Sequence, residues 1–188
     1  MPVSKKALRY WETVSRKTVL EFSWFLTMES HVIKLPDGSV IPDWAWLIIP
    51  SAAIVLAVTS GHRFLCFRQT KYAVEGITLA PVGSMLNPDE KPIDAAKREL
   101  LEETGYKASD WINLGSFVLD PNRGVATIHM FLALNARKVA EPDSDDLEDQ
   151  ELLYFSQNVI ENALKAGEFK VLACASVVSM ALNYPSIG

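Results

Sequence analysis

A chain of 188 residues, 49 % of them apolar, is long enough for one domain with a good core and a small appendage. Its net charge of −5 argues against a nucleic-acid partner held by general electrostatics. The apolar run 44–58 contains Pro50 and Ser51 and stops short of a membrane span, so it reads as consecutive buried strands.

Lys5, Lys6 and Arg9 are followed by no apolar stretch. No secretory signal is expected, and a reducing cytoplasm fits. Residues 6–16 read as a short helix or an irregular arm. Residues 18–35 and 39–48 read as strands, broken by Leu35-Pro36-Asp37-Gly38-Ser39, where proline presets φ and glycine accepts a positive one. Residues 51–59 and 63–68 form the next pair, joined near Ser60-Gly61, and 71–80 adds a strand. The stretch from Pro81 to Asp89, rich in Pro, Gly, Ser and Asn, reads as a loop.

A helix is expected over 91–104. Pro92 suits its first turn and Asp94 complements the positive end of its dipole. Ile93, Ala96 and Leu100 form its apolar stripe, and Gly105 is placed to end it. Strands follow at 111–119 and 125–134. Residues 139–150 are acidic and without periodicity, a loop. A short strand near 151–155 leads to helices at 157–166 and 169–183, with Gly167 between them. Strands on both sides of a central helix, then two terminal helices, indicate an α/β sandwich. Cys66 and Cys174 lie far apart without metal-ligand spacing and are expected as buried free thiols.

Chemistry concentrates in Arg98-Glu-Leu-Leu-Glu-Glu-Thr-Gly-Tyr106. On a helix, Glu103 lies roughly 40° around the axis from Glu99, and Glu102 roughly 60° to the other side. Like charges so placed repel, and a divalent cation removes the conflict. Hard carboxylate oxygens suit Mg²⁺ or Mn²⁺, which also bind phosphates. Arg98, four residues before Glu102, can orient it by a charge-assisted bond. Trp44, Trp46, Trp111 and Tyr72 are more simply core or interface residues than base-stacking platforms. His31, His62 and His129 show no spacing of a metal or nucleophile system.

Residues 90–106, Glu-x7-Arg-Glu-Leu-x-Glu-Glu-x-Gly-Tyr, resemble the Nudix box, G-x5-E-x7-R-E-U-x-E-E-x-G-U with U a bulky apolar residue. Arg68-Gln69 before Tyr72, Pro81-Val82-Gly83, the turn at 35–38, the acidic loop at 145–151 and Gly167 are similar to the ADP-ribose pyrophosphatase branch. The resemblance implies a Nudix fold: an α/β/α sandwich with a mixed β-sheet over 49–188, and an N-terminal β-rich extension over 1–48 that supports dimerisation. It implies hydrolysis of the phosphorus anhydride of a nucleoside diphosphate linked to another moiety, ADP-ribose or nucleotide-sugar-like, with Mg²⁺ or Mn²⁺ as cofactor. Glu99 and Glu103 would be the primary ligands, Glu102 a further or water-bridged one, and the backbone carbonyl of Val82 a fourth donor. Glu148, or next Glu151, would be the general base, with Arg98 and Glu102 as supporting catalytic residues. Arg68 and Lys71 would meet phosphate. Glu90, Gly83 and Gly105 would be structural parts of the box. The branch further implies a homodimer, for which Trp44–Pro50 is an apolar candidate surface, and neither a nucleic acid nor a membrane as partner.

The front of the box departs from the pattern. Counting back from Arg98, the glycine position falls on Ser84, and Gly83 stands one residue early, which predicts a bulge within 84–89. Leu79 stands where the branch has a glutamate, Gln69-Thr70-Lys71 replaces Gln-Tyr-Arg, and Ala126 replaces another glutamate. These changes point to alternatives: another dinucleotide or coenzyme diphosphate, a damaged nucleotide, or a nucleotide-binding regulatory module with little turnover.

Overall fold

The structure is a computed structural model, and it describes residues 7–143 and 149–185. Among these the strands are β1 (Glu12–Phe22), β2 (Leu26–Lys34), β3 (Val40–Ile48), β4 (Ala52–Thr59), β5 (Phe64–Lys71), β6 (Val74–Ala80), β7 (Val82–Met85), β8 (Tyr106–Lys107), β9 (Asp110–Asp120), β10 (Gly124–Lys138) and β11 (Gln150–Phe155). The helices are α1 (Pro92–Thr104), α2 (Gln157–Lys165) and α3 (Leu172–Leu182). The chain divides into two compact units, residues 1–50 with 118–126, and residues 51–117 with 127–188.

In the first unit β1, β2 and β3 pair antiparallel in sequence, and the start of β10 joins β3 in parallel through Gly124–Leu47 and Val125–Ile48. The helix or arm expected over 6–16 is replaced from residue 12 by strand. Thr13, Val14, Thr18 and Val19 are β-branched, and such side chains sit better on a pleated surface than on a helix. The expected run 18–35 is split by a hairpin turn at Ser23, whose φ of 59° is left-handed without a glycine or asparagine to announce it. The turn at 35–39 forms as read: the Gly38 N–H donates to the Leu35 carbonyl, and Asp37 Oδ1 accepts from the Ser39 N–H. β3 is not the buried strand expected, since its residues are exposed or half-buried. Trp46 stacks on His31 at 5.1 Å between ring centres, and Trp44 Nε1 donates to the Asn122 carbonyl.

In the second unit β4 is the spine. It runs parallel to β10 and antiparallel to β7 and to the start of β5, while β5 pairs antiparallel with β6 and β11. The sheet is therefore mixed. β4 is buried nearly throughout, and its alternate side chains feed two cores. Ala53, Val55 and Ala57 pack with Ala95, Ala96 and Leu100 of α1. Ile54, Leu56 and Val58 pack with Ile160, Val177 and Val178 of α2 and α3. One helix on one face and two on the other make the expected α/β/α sandwich. Cys66 and Cys174 are buried and free within the second of these cores.

The loop expected over 81–89 contains a strand. β7 pairs with β4 from Val82–Val55 through Met85–Ala52 without a register shift, so the predicted bulge does not begin at Ser84. The extra residue is taken up after β7, where Asp89 adopts a left-handed φ of 61°.

Candidate active site

Helix α1 begins at Pro92 and ends at Gly105, whose φ is 74° and whose N–H donates to the Leu101 carbonyl at 2.8 Å. Gly105 also accepts from the N–H groups of Val139 and Ala140. A Cβ there would lie 2.1 Å from the Ala140 oxygen, so only glycine fits. The helix buries Ala95, Ala96 and Leu100 on the sheet, and the same packing carries Glu99 and Glu103 inward to 7 % and 8 % exposure. Glu102 remains about half exposed.

Arg98 organises the carboxylates. Its Nε and Nη2 donate to Glu90 Oε1 and Oε2 at 2.8 and 2.9 Å. Its Nη1 donates to Glu99 and, at 3.0 Å, to Glu102. Glu90 Oε2 accepts a further bond from the Asn87 N–H. The Arg98 hydrogen bond holds the Glu90 carboxyl below its ordinary pKa. Burial pushes Glu99 the other way, upward, against the opposing pull of Arg98. A carboxylate buried at such a cost is a natural place for a cation, which restores the charged form.

The residues thus fit a hard divalent cation by donor chemistry: three carboxylates in one sector of α1, two of them withdrawn from water. Among the described residues, however, no three acidic, His or Cys side chains already converge as a metal cage. The Val82 side chain is fully buried against α1, on a strand one residue from Pro81.

The strands β4 and β5 diverge beyond their short pairing at 57–58 and 64–65, and the chain crosses the gap at Pro81 between β6 and β7. A small open cavity of about 80 Å³ occupies this region, lined by Glu103, Lys71, Gln69, Gln150, Gly83 and Cys174 among others. Pleat explains the membership. Leu65 and Phe67 of β5 face α1, so Gln69 continues that face, and Lys71, which follows a register shift after Thr70, lines the same cavity. Arg68 follows Phe64 and Cys66 on the other face, as Glu151 follows Leu153 on β11. Arg68 and Glu151 are register partners, 3.6 Å apart, and both line a neighbouring pocket. Glu103, Lys71 and Gly83 are therefore brought together, and Arg68 and Glu151 form a separate pair. Glu148 lies outside the described residues.

Gln69 and Gln150 are also register partners on this cavity. From sequence Gln69 is named only inside the Arg68-Gln69 and Gln69-Thr70-Lys71 runs, and Gln150 is not singled out. Gln69 is a buried polar residue in a largely buried strand, whereas β11 is exposed or half-buried and gives Gln150 no such signal. Leu79 is buried in the α2–α3 core and its N–H donates to the Glu168 carbonyl. Trp111 packs edge-on against Phe131, and its Nε1 donates to the Ala108 carbonyl. Tyr72 is fully exposed at the β5–β6 turn. His31 pairs with Glu29 and His129 with Ser116, consistent with structural roles.

A twisted mixed sheet between one helix and two, with an arginine-bound cluster of glutamates on the single helix, defines the class. The chain belongs to the Nudix family: the NUDIX domain model matches residues 48–173. It is 30 % identical over 119 residues to an ADP-ribose pyrophosphatase of Bacillus subtilis, a match covering 63 % of each chain. It is 29 % identical over 117 residues to a methanol dehydrogenase activator of Bacillus methanolicus, covering 62 % of each. The chain thus spans less than two thirds of the length of these two relatives. A CMP-5'-(N-acetyl-N-hydroxy-3-aminopropyl)phosphonate hydrolase of Streptomyces rubellomurinus is 26 % identical over 151 residues, covering 79 % of this chain and 71 % of that one. The fold matches the crystal structure of an ADP compounds hydrolase with a TM-score of 0.77 at 18 % identity, over 93 % of this chain and 94 % of the other.

Proposed function

We propose that the protein is a divalent-cation-dependent hydrolase that cleaves the pyrophosphate of a nucleoside diphosphate linked to another moiety, of the ADP-ribose type. The burial of Glu99 and Glu103 on one turn of α1, with Glu103 and Lys71 on a common cavity, carries this reading. Mg²⁺ or Mn²⁺ would be held by Glu99 and Glu103, with Glu102 and the Val82 carbonyl as further donors. When bound, the cation neutralises phosphate charge and lowers the pKa of its water. Lys71 would hold a phosphate oxygen as a point charge, where arginine would have offered a planar fork. Arg98 holds Glu99 and Glu102 in place rather than touching substrate. Glu148 is the first candidate for the general base, because the pleat of β11 turns Glu151 to the face opposite α1.

The test is hydrolysis of ADP-ribose and a panel of nucleotide-linked diphosphates with Mg²⁺, wild type against Glu103→Gln. Nucleoside monophosphate should appear with wild type only. Loss of a ligand costs several kcal/mol of barrier, and each 1.36 kcal/mol is tenfold in rate. Equal rates would reject the proposal.

A second reading within the same chemistry is a nucleotide joined to a different headgroup. Leu79, buried and apolar, and the Thr70-Lys71 pair favour it, as does the likeness to the CMP-phosphonate hydrolase. We further infer that residues 1–48 serve self-association and 49–188 hydrolysis. Every residue of β1 is exposed, including Val14, Val19, Leu20 and Phe22, which supports a second copy as cover. Light scattering on the purified chain would give the mass of a dimer.

A further inference from the structure

Two pockets meet at one buried amide. Gln69 and Gln150 line the cavity beside Glu103 and Lys71, and they also line the neighbouring pocket of about 120 Å³ that holds Arg68, Thr70, Asp149 and Glu151. They are register partners on β5 and β11, so the pair forms a wall that both pockets share. Gln69 is only 6 % exposed. Its register partner on β6 is Thr78, whose hydroxyl is already engaged: it donates to the Glu168 carbonyl and accepts from the Lys170 N–H. Among the described residues nothing hydrogen-bonds the Gln69 amide, and no side-chain polar atom closed off from solvent lacks a partner. The amide nitrogen and oxygen therefore open onto the pockets. A carboxamide buried to this degree is costly unless something completes its hydrogen bonds.

We propose that Gln69 is a specificity-determining residue: its carboxamide hydrogen-bonds a hydroxyl of the uncharged group attached to the diphosphate. The inference rests on the reading of the Glu103–Lys71 cavity as the seat of the diphosphate, where Lys71 and the cation serve the phosphate oxygens. The second pocket has a different charge. Asp149 and Glu151 outnumber Arg68 there, and Arg68 is already 3.6 Å from Glu151, so a further phosphate meets net repulsion. A hydroxyl carries no charge and both donates and accepts, which a neutral amide matches from either end. A site built to hydrogen-bond a hydroxyl discriminates against an analogue that lacks it, because the buried polar group is then left unpaired.

The test is calorimetric titration of the full chain in Mg²⁺ with two probes whose methylene bridge blocks cleavage of the pyrophosphate. α,β-Methylene ADP-ribose carries the hydroxyl-bearing group, and α,β-methylene ADP lacks it. Gln69→Met and Gln69→Leu keep the bulk of the side chain and remove the amide. Each should weaken the Kd of α,β-methylene ADP-ribose by about tenfold and leave that of α,β-methylene ADP within about twofold of wild type. Circular dichroism melts establish that the variants are folded, and retained binding of α,β-methylene ADP shows that the cavity is formed. Variants that bind both probes as wild type does, or that weaken both equally, overturn the role of Gln69 and spare the diphosphate seat. Failure of the wild type to bind either probe overturns both.

Discussion

Arg98 grips Glu90 through two parallel bonds, Nε to Oε1 and Nη2 to Oε2, across eight positions of sequence. The pair closes the segment between β7 and α1 onto the helix, because Glu90 also accepts the Asn87 N–H. The remaining Arg98 nitrogen is spent on Glu99 and Glu102. One guanidinium thus ties the entry to the helix and orients the acidic cluster. Arg98→Lys keeps the charge and loses the fork, so it cannot serve both. The side chains are about 15–27 % exposed, so the pair is only partly withdrawn from water. The expected cost is about 2–3 kcal/mol of unfolding free energy, measured by urea denaturation without metal. A change within about 0.5 kcal/mol, the scatter of ordinary surface substitutions, would contradict it.

The same bond gives stability a pH dependence of known sign. The folded-state pKa of Glu90 lies below its ordinary value, mainly through the Arg98 hydrogen bond. Its contribution is fully present above the unfolded pKa of about 4.3 and is lost as pH falls through the lower folded value. The wild-type advantage in Tm over Glu90→Gln should therefore be constant from neutral pH to about 5 and shrink below about 4.3. An advantage that grew on acidification would have the wrong sign.

Much of this was legible in the chain because the helix carries its own punctuation. Pro92, Asp94, the Ala96–Leu100 stripe and Gly105 fix where α1 starts, faces and stops. β4 declares itself by an unbroken apolar run, and β10 by the alternation of Ala126, Ile128, Met130 and Leu132. Two features were hidden for physical reasons. Ser23 turns the β1–β2 hairpin at a positive φ, a conformation that serine rarely adopts and that no sequence rule assigns to it. β7 is four residues long and includes Gly83 and Ser84, so composition reads it as loop, although pairing with β4 makes it strand. At the site, the carboxylates of α1 follow from spacing alone. The separation of Lys71 from Arg68 depends on the pleat of β5 and on the register shift after Thr70, which show only once the pairing of β5 with β6 is known.

Gly105 tests the close approach at the end of α1. Alanine there meets two penalties, a left-handed φ of 74° and a Cβ 2.1 Å from the Ala140 oxygen. The obstacle is backbone, held by hydrogen bonds to Gly105 itself, so it cannot swing aside. Strain of this kind costs about 1–3 kcal/mol for φ alone, with the clash added. Gly105→Ala should lose at least about 3 kcal/mol and loosen residues 139–140, visible as faster amide exchange at Val139 and Ala140. Wild-type stability in that variant would refute the assignment.

The two cysteines make a chemical test of the core. Burial pushes the Cys174 thiol up to about 11, with the Lys71 charge pulling slightly back, and pushes Cys66 higher still. Thiolate is the reactive form, so both raised thiols stay protonated and slow to react near neutral pH. Neither thiol should react with Ellman's reagent in the folded protein within minutes, and both should react at once in guanidinium chloride. Cys174 lines the cavity with Lys71 and Glu103, while Cys66 is wholly enclosed in the core. On long exposure Cys174 should therefore be modified first, and a nucleoside diphosphate held in that cavity should slow it. Rapid reaction of Cys66 in the native state would contradict the packing between β5 and α3.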